Sequence, residues 1–353
     1  MNRARALLPT LAALAGGLLV SGLFVALAGG DPLLAFAALI GGAFGSTDGL
    51  SEVAVKACPL ALCGLGIALS FRAGMWNVGA EGQLLAGAIA LAWAAPHLGG
   101  MPAVVAVPLT LLVAAVAGAG WSALPGWLKL RRGVSEVIST IMLNFVAAAL
   151  ISYLVQGPLM ESGGRYPQTD AVPESLRLVR LFPPLRFHLG IPIALLVALV
   201  VAFAVNRTVF GYALRAIGLN ARAARVAGLA VERNALIALA LSGALAGLAG
   251  GIEVSAITYR VYERFSPGYG FTAIAVALLG RLDPLGVVVA AVFFGVLEAG
   301  SNAMQREANV SSVLVLVVQA TIILFLVAIE RRTVSAPLER NAGEAASAPP
   351  GIT

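Results

Sequence analysis

Few residues in this 353-residue chain could act chemically on a substrate. The two lysines, Lys56 and Lys129, do not follow a glycine, so the chain has no GxxxxGK(S/T) loop that could hold the phosphates of ATP. His97 and His188 have no acid or nucleophile beside them, and no GxSxG nucleophile motif occurs. We therefore expect no catalytic residues, no metal site and no cofactor bound by this chain.

Polar side chains inside apolar stretches are the remaining candidates, because such groups are costly in lipid unless they serve a function or find a partner. The glycine-rich segment 71–83 can leave helical geometry only where protein or water surrounds it, so it could shape a path for a polar solute. The alternative is a tight turn in which Arg72 pairs with Glu81, and each deeper polar residue could equally serve as an interhelical hydrogen bond. The path candidates are Phe71, Trp76, Asn77, Glu81, Gln83, Asn144 and Glu253, followed by Glu298, Asn302 and Gln319.

A second local pattern lies in the connection 207–233. Asn220 is suited to cap a helix N-terminus and Gly228 to follow its C-terminus, which predicts a helix of about two turns between them. A short helix of small residues outside the membrane could insert into a cleft on another protein. The alternative is a solvated loop whose arginines contact lipid headgroups.

The composition requires that these segments be held by a membrane-embedded scaffold. Hydrophobic residues make up 59% of the chain and charged residues 11%, against roughly a quarter charged in a soluble domain. Mean hydropathy is +0.93, which excludes a soluble globular protein and makes lipid the outer solvent. The net charge of +6 comes without a long basic run, so nucleic acid is not an expected partner.

Apolar stretches of about 20 residues predict an all-α polytopic membrane protein with about ten transmembrane helices. The first stretch could also be a signal peptide, although its length favours an uncleaved span. Segment 33–45 has 13 residues and is expected to be re-entrant or interfacial on the outer side, and 271–280 is short enough to be a partial crossing. The predicted spans are 7–30, 53–71, 82–95, 103–124, 136–156, 191–206, 234–257, 271–280, 285–304 and 311–329.

The basic residues orient these spans. Fifteen fall in the predicted inner connections and seven in the outer ones, which places both termini in the cytoplasm. The connection 157–190 opposes this trend with four arginines, and its prolines indicate an ordered outer element. We expect a transmembrane domain over 1–334 and a disordered cytoplasmic tail over 335–353.

Glycines at a spacing of four mark a close contact in the seventh span. Gly243, Gly247 and Gly251 fall on one stripe of a helix, where small residues let two helix backbones approach. The stripe predicts a packing seam, and direct contact with a ligand is the alternative.

Four stretches together resemble one family. Segment 71–83 is similar to a family segment reading FN-I-G-A-E-G-Q, 135–144 to EVISTLMLN, 218–228 to GLNPEAARYAG and 267–281 to GYGFDGIAVALLG. These segments are typical of permease subunits of ABC importers of the branched-chain amino acid and ribose type, in the simple-sugar and nucleoside subgroup. The resemblance covers about 7–332, although Trp76 replaces a commoner Phe and Ala221-Arg222 a frequent Pro-Glu.

The resemblance implies import of a nucleoside or simple sugar across a bacterial plasma (inner) membrane. It further implies three partners: a cytoplasmic ABC ATPase that binds ATP-Mg, a second and usually non-identical permease, and an extracytoplasmic solute-binding lipoprotein. The short helix would then be the coupling helix that contacts the ATPase. The implied coupling residues are Arg215, Gly218, Leu219, Asn220, Arg222, Ala223, Ala224 and Gly228.

Two alternatives remain. A branched-chain amino acid permease would share the architecture but would not need the asparagine and glutamine inventory. An ion-coupled secondary carrier would often carry inverted repeats with matching broken helices. The Gly-rich break at 74–82 has no clear counterpart in the second half of the sequence, which disfavours a carrier.

Overall fold

The computed structural model of this protein describes residues 3–308 continuously and single positions between 310 and 324. Every regular element in this part of the chain is helical. Apart from those single positions, the predicted span 311–329, Gln319 and the predicted tail 335–353 lie outside the described residues.

The helices follow the apolar stretches of the sequence. Predicted spans 136–156, 191–206 and 234–257 agree with observed helices to within a few residues at each end. A 3₁₀ turn at Glu174–Leu176 lies in the long loop, and a π-helical segment, Val254–Thr258, continues α10. The α-helices are α1 Arg3–Leu27, α2 Pro32–Phe44, α3 Thr47–Arg72, α4 Ala80–Leu98, α5 Ala103–Arg132, α6 Glu136–Gln156, α7 Gly190–Arg207, α8 Val209–Leu219, α9 Ala221–Val226, α10 Val231–Glu253, α11 Tyr269–Leu279 and α12 Pro284–Glu307.

The described residues show fewer full-length spans than the sequence predicts for the whole chain. Within the described residues, six helices are long and apolar enough to cross a membrane: α3, α5, α6, α7, α10 with its π segment, and α12. The pair α1 and α2 is bent by 118° and adds a seventh if it is counted as one span. Of the other predicted spans, 311–329 lies outside the described residues, α4 has polar residues at both ends and α11 has 11 residues. A helix of that length covers about 16 Å, half of a bilayer core of about 30 Å.

The chain divides into two compact units, one formed by residues 46–298 and the other by residues before 46 with those from 299 on. In the second of these, Asp31 caps α2 by accepting a hydrogen bond from Leu33 N at 2.8 Å. Gly42 lies against Ala303, and a side chain at Gly300 would collide with the Leu39 carbonyl. Small residues therefore allow α2 to contact the end of α12 directly.

Helix α10 forms the centre of the larger unit and packs against α3, α4 and α5. Its glycine stripe lies along α5: methyl groups built on Gly243 and Gly247 would collide with the carbonyl oxygens of Gly118 and Ala114. Gly251 lies on the same face, where a methyl group would meet the Ala114 side chain at 2.7 Å. The backbones of α5 and α10 consequently touch with no side chain between them.

The loop 157–189 is ordered by contacts with residues 259–262, which follow the π segment. Thr169 N donates to Val261 O at 2.9 Å and Val172 N to Tyr259 O at 2.8 Å. Arginines of the same region have partners as well. These are Arg260 with Glu161 at 2.7 Å, Arg186 with Glu52 at 3.1 Å, and Arg177 stacked 4.6 Å from the centre of the Tyr259 ring.

Candidate functional site

The segment 73–79, which joins α3 to α4, is not helical, and α6 holds it in place. Glu136, Thr140 and Asn144 occur at a spacing of four, so they lie on one face of α6. We call the segment 73–79 the first break. Each of the three side chains accepts a hydrogen bond from a backbone N–H of the first break or of the start of α4, and so satisfies N–H groups that a helix would otherwise pair. The bonds are Trp76 N to Glu136 Oε1 (3.4 Å), Val78 N to Thr140 Oγ1 (3.3 Å), Gly82 N to Asn144 Oδ1 (2.8 Å), and Asn144 Nδ2 to Val78 O (2.9 Å).

The buried side chains of Asn77 and Gln83 join the first break to the start of α4. Their amides exchange two hydrogen bonds of 2.9 Å, and Asn77 Nδ2 also donates to Ser242 Oγ of α10 at 2.8 Å. Gly79 N donates to Asn77 Oδ1 at 2.9 Å. Both side chains are buried, with exposures of 0% and 1%, so these predicted path residues point into the protein and not into a cavity.

A second break, residues 259–268, separates the π segment from α11. Glu81 at the start of α4 accepts a hydrogen bond from Gly270 N in the first turn of α11, at 2.7 Å. A methyl group at Gly270 would collide with the Glu81 backbone, so the close approach requires glycine there. The second break falls in the predicted connection between spans 234–257 and 271–280 and, unlike the first, is not rich in glycine. The helices that follow the two breaks, α4 and α11, meet at Glu81.

A cleft of about 360 Å³ lies between α4, α6 and the second break. Glu81 and Asn144 are the two predicted path residues that line it. The cleft lies beside the contact between loop 157–189 and residues 259–262. The other lining residues, which sequence reasoning missed, are Leu85, Phe145, Ala148, Ile151, Ser152, Glu263, Arg264, Phe265, Ser266 and Phe271.

Glu263 is the principal exposed acid of this cleft. Its Oε1 accepts hydrogen bonds from Ser152 Oγ and Gln156 Nε2, which lie one turn apart on α6. These two donors hold the pKa of Glu263 below its ordinary value of 4.5, so the carboxylate is charged at neutral pH. Arg264 follows with a left-handed backbone (φ +54°), and it lines the same cleft.

The remaining path candidates lie elsewhere. The Phe71 and Trp76 rings are 4.6 Å apart at the end of α3, outside the cleft, and Trp76 is half exposed. Glu253 is buried in α10, while Glu298 and Asn302 lie on α12. The alternative pairing of Arg72 with Glu81 is wrong, because Arg72 Nε donates to the carbonyl of residue 282 at 2.9 Å.

The predicted coupling segment consists of α8 and α9. Asn220 Oδ1 accepts from Arg222 N and Ala223 N, each at 3.0 Å, and Gly228 adopts φ +84° after the helix ends. Ala224 is buried in a cluster with Ile217 and Val231, which fixes α9 to α8 and α10. The two most exposed large apolar side chains of this segment are Leu219 at 89% exposure and Val226 at 87%.

The coupling segment touches the first break directly. A methyl group at Gly218 would collide with the Arg72 carbonyl, and Gly74 with φ +71° lies beside the Gly218 backbone. Arg215, one turn earlier, donates to the Val205 carbonyl and so joins α8 to the end of α7 at 2.5 Å. A displacement of α8 would therefore act on the chain just before the residues that position Glu81.

Comparison with known proteins agrees with the resemblance of the four motifs. A family model described as "Branched-chain amino acid transport system / permease component" matches residues 49–327. The glucose ABC transporter permease protein TsgB13 of Haloferax volcanii is 37% identical, covering 96% of this chain and 93% of its own length. The guanosine ABC transporter permease protein NupP of Bacillus subtilis is 38% identical, covering 92% and 94%.

A second guanosine ABC transporter permease protein of Bacillus subtilis, NupQ, is 28% identical over 68% of this chain and 77% of its own length. Relatives of this chain thus include two different permeases of one organism with the same named solute. No solved structure matches this chain.

Proposed function

We propose, because this chain belongs to the family of permease components of branched-chain amino acid transport systems, that it is the membrane-spanning subunit of an ATP-driven importer for nucleosides or simple sugars. The observation that carries this proposal is similarity to a glucose and a guanosine permease over more than nine-tenths of each chain. The contact of Gly218 with Arg72 supports it, since it links the coupling segment to the break that positions Glu81.

The chain is a multi-pass membrane protein, for which we propose a bacterial plasma membrane location with both termini in the cytoplasm. The excess of arginine in the proposed inner connections supports this orientation. In the proposed ten-span topology, α4 is a span and the turn 267–270 completes the crossing of α11. Helix α2 would be the re-entrant piece on the outer side.

Helix α9 is the proposed coupling helix, and it would dock into a cytoplasmic ABC ATPase that binds ATP-Mg. The exposed Leu219 and Val226 support docking, because large apolar side chains in water gain free energy when a partner covers them. Arg222 stands on α9 where an acidic residue is frequent in the resembling segment, so its contact with the ATPase would be basic. ATP-driven closure would move α8 against Arg72 and change the access to the cleft.

Two further partners complete the proposed importer. A second permease would supply the other wall of the path, as the existence of NupP and NupQ in one organism supports. An extracytoplasmic solute-binding lipoprotein would deliver the solute to the two permeases. Among the alternatives, a branched-chain amino acid permease would gain little from the acids of the cleft, and family membership disfavours an ion-coupled carrier.

The coupling part of this proposal is tested on the surface of α8 and α9. Ala224 is buried, so a charge there would disturb the fold. Leu219→Glu and Val226→Glu instead change exposed positions and should abolish ATPase co-purification and ATP-driven uptake of guanosine and glucose in proteoliposomes. Val179→Glu, at an exposed apolar position in loop 157–189, is the matched control and should retain the ATPase.

Two results would refute the proposal. One is full retention of the ATPase by both charged variants. The other is uptake that proceeds with an ion gradient and without any ATPase.

A further inference from the structure

We propose that the cleft between α4, α6 and the second break binds the adjacent hydroxyl groups of the solute's sugar ring, with the Glu263 carboxylate as their acceptor. The inference rests on the proposed function and deepens it, since it names the part of the solute that this chain recognises. A ring with neighbouring hydroxyl groups is the chemistry that a nucleoside and a simple sugar share.

The carboxylate of Glu263 is fixed in orientation through one oxygen, and its other oxygen is available to a ligand. Ser152 and Gln156 both donate to Oε1, so two side chains of α6 hold the group from one side. Within the part of the chain that the structure describes, no group donates to Oε2. An ionised carboxylate with a free oxygen forms strong hydrogen bonds with hydroxyl donors.

The charges of the cleft favour a neutral solute. Two carboxyl groups, those of Glu81 and Glu263, face one guanidinium, that of Arg264. An anionic solute such as a nucleotide would be disfavoured by the excess of carboxyl groups over guanidinium groups. Arg264, which forms no ion pair within 4 Å with any described residue, can donate hydrogen bonds to ring or hydroxyl oxygens.

The walls of the cleft suit a ring with apolar faces. Phe145 is 66% exposed and Phe271 is 48% exposed, and both line the cleft with Phe265. Aromatic side chains of this kind offer flat apolar area to a base or to the C–H face of a sugar. The volume of about 360 Å³ is near the lower end of the range for small-molecule pockets, about 300–1,000 Å³, so it fits one small solute.

The test compares solutes with and without the hydroxyl groups in the complete reconstituted importer. Uptake efficiency is measured for guanosine and 2′,3′-dideoxyguanosine with the wild type, Glu263→Gln and Glu263→Asp. The binding protein is the same in all assays, so its own selectivity cancels when variants are compared. Glu174→Gln, at an exposed acid of the 3₁₀ turn outside the cleft, is the matched control.

We expect Glu263→Gln to lower guanosine uptake about tenfold, as the loss of a hydrogen bond to a charged acceptor implies. Uptake of the dideoxy compound should change less than twofold. Glu263→Asp, which keeps the charge, should recover part of the guanosine uptake. Glu174→Gln should behave as the wild type with both solutes. Melting temperatures in detergent identify any variant that fails to fold, and in that case the aspartate variant alone gives the comparison.

The outcomes separate the two proposals. If the wild type shows no ATP-dependent uptake of any nucleoside or sugar, or takes up leucine instead, the proposed function fails. If the wild type imports guanosine but the Glu263 variants lower both solutes by the same factor, or lower neither, the hydroxyl site is overturned while the importer stands.

Discussion

Replacement of Asn77 by alanine should destabilise the fold strongly, because a buried network of hydrogen bonds depends on this side chain. The Asn77 amide forms four hydrogen bonds: two with Gln83, one with Ser242 and one with Gly79 N. Asn77→Ala removes all four and leaves buried polar groups on three other residues without their partner.

The magnitude follows from the kinds of bond that are lost. An interhelical hydrogen bond in a membrane protein, such as that to Ser242, contributes about 0.6 kcal/mol on average. The three that fix the first break are buried, and each contributes about 1 kcal/mol. We therefore expect Asn77→Ala to lower the free energy of unfolding by about 3–4 kcal/mol.

The assay is equilibrium unfolding of the purified protein in mixed micelles, titrated with a denaturing detergent. Asn206→Ala, at an exposed position near the end of α7, is the control and should change stability by less than about 0.5 kcal/mol. A double-mutant cycle with Ser242→Ala isolates the interhelical bond, for which we expect a coupling no larger than about 1.7 kcal/mol. A loss below about 1 kcal/mol for Asn77→Ala would show that the network does not hold the break.

Two further perturbations test the packing seam and the outer loop. Gly247→Leu must push α10 away from Ala114 and should lower the free energy of unfolding by at least about 1–3 kcal/mol in the same assay. Gly120→Leu, whose side chain enters open space, should be close to neutral. Equal losses of stability in the two variants would contradict the packing seam. Burial of His188, with repulsion by Arg186 and Arg180, lowers its pKa from 6.5 to about 4. Because the folded state disfavours the charged imidazole, stability should be full above pH 6.5 and fall by roughly 3 kcal/mol as the pH drops from 6.5 through 4. This pH dependence should disappear in His188→Gln and persist in His97→Gln, and an unchanged profile in His188→Gln would disprove the assignment.

Much of the fold could be predicted because apolar length and charge mark a membrane helix. Segments 136–156 and 191–206 are bounded by polar or charged residues, and the observed helices α6 and α7 begin and end near them. The short helix α9 was also predictable, since Asn220 and Gly228 have strong local preferences for its two ends.

The position of the second break could be predicted, since it falls between the predicted spans 234–257 and 271–280, but its contacts could not. Residues Val254–Thr258 are apolar or small, and the helix runs into them as a π segment before Tyr259 adopts φ +56°. In the first break, by contrast, Gly74, Gly79 and Gly82 indicate an interruption of the helix from the sequence alone. The second is instead imposed by tertiary contacts with loop 157–189, which a local reading of the sequence does not contain.

The cleft was missed for a related reason. Glu263 lies in the predicted outer connection 258–270, and nothing local connects it to Ser152 and Gln156 more than 100 residues earlier. The described residues show six or seven of the predicted ten spans, since α4 has polar residues at both ends, α11 has 11 residues and segment 311–329 lies outside them. Helix α11, which the sequence marks as a possible partial crossing, is a strongly apolar helix of 11 residues whose first turn contacts Glu81.

The meeting of the two breaks also constrains how the chain enters the membrane during synthesis. Glu81 and Gly270 are 189 residues apart, so at 5–20 residues per second the ribosome takes roughly 10 to 40 s to supply the partner of Glu81. Ser242, the partner of Asn77, also emerges late. Throughout that interval the Glu81 carboxyl lacks the Gly270 amide, although Asn77 can already bond Gln83 and Gly82 N can bond Asn144 once α6 is made. The final packing of the start of α4 therefore waits for the second half, and a chain cut short before Tyr269 would leave Glu81 without the Gly270 amide.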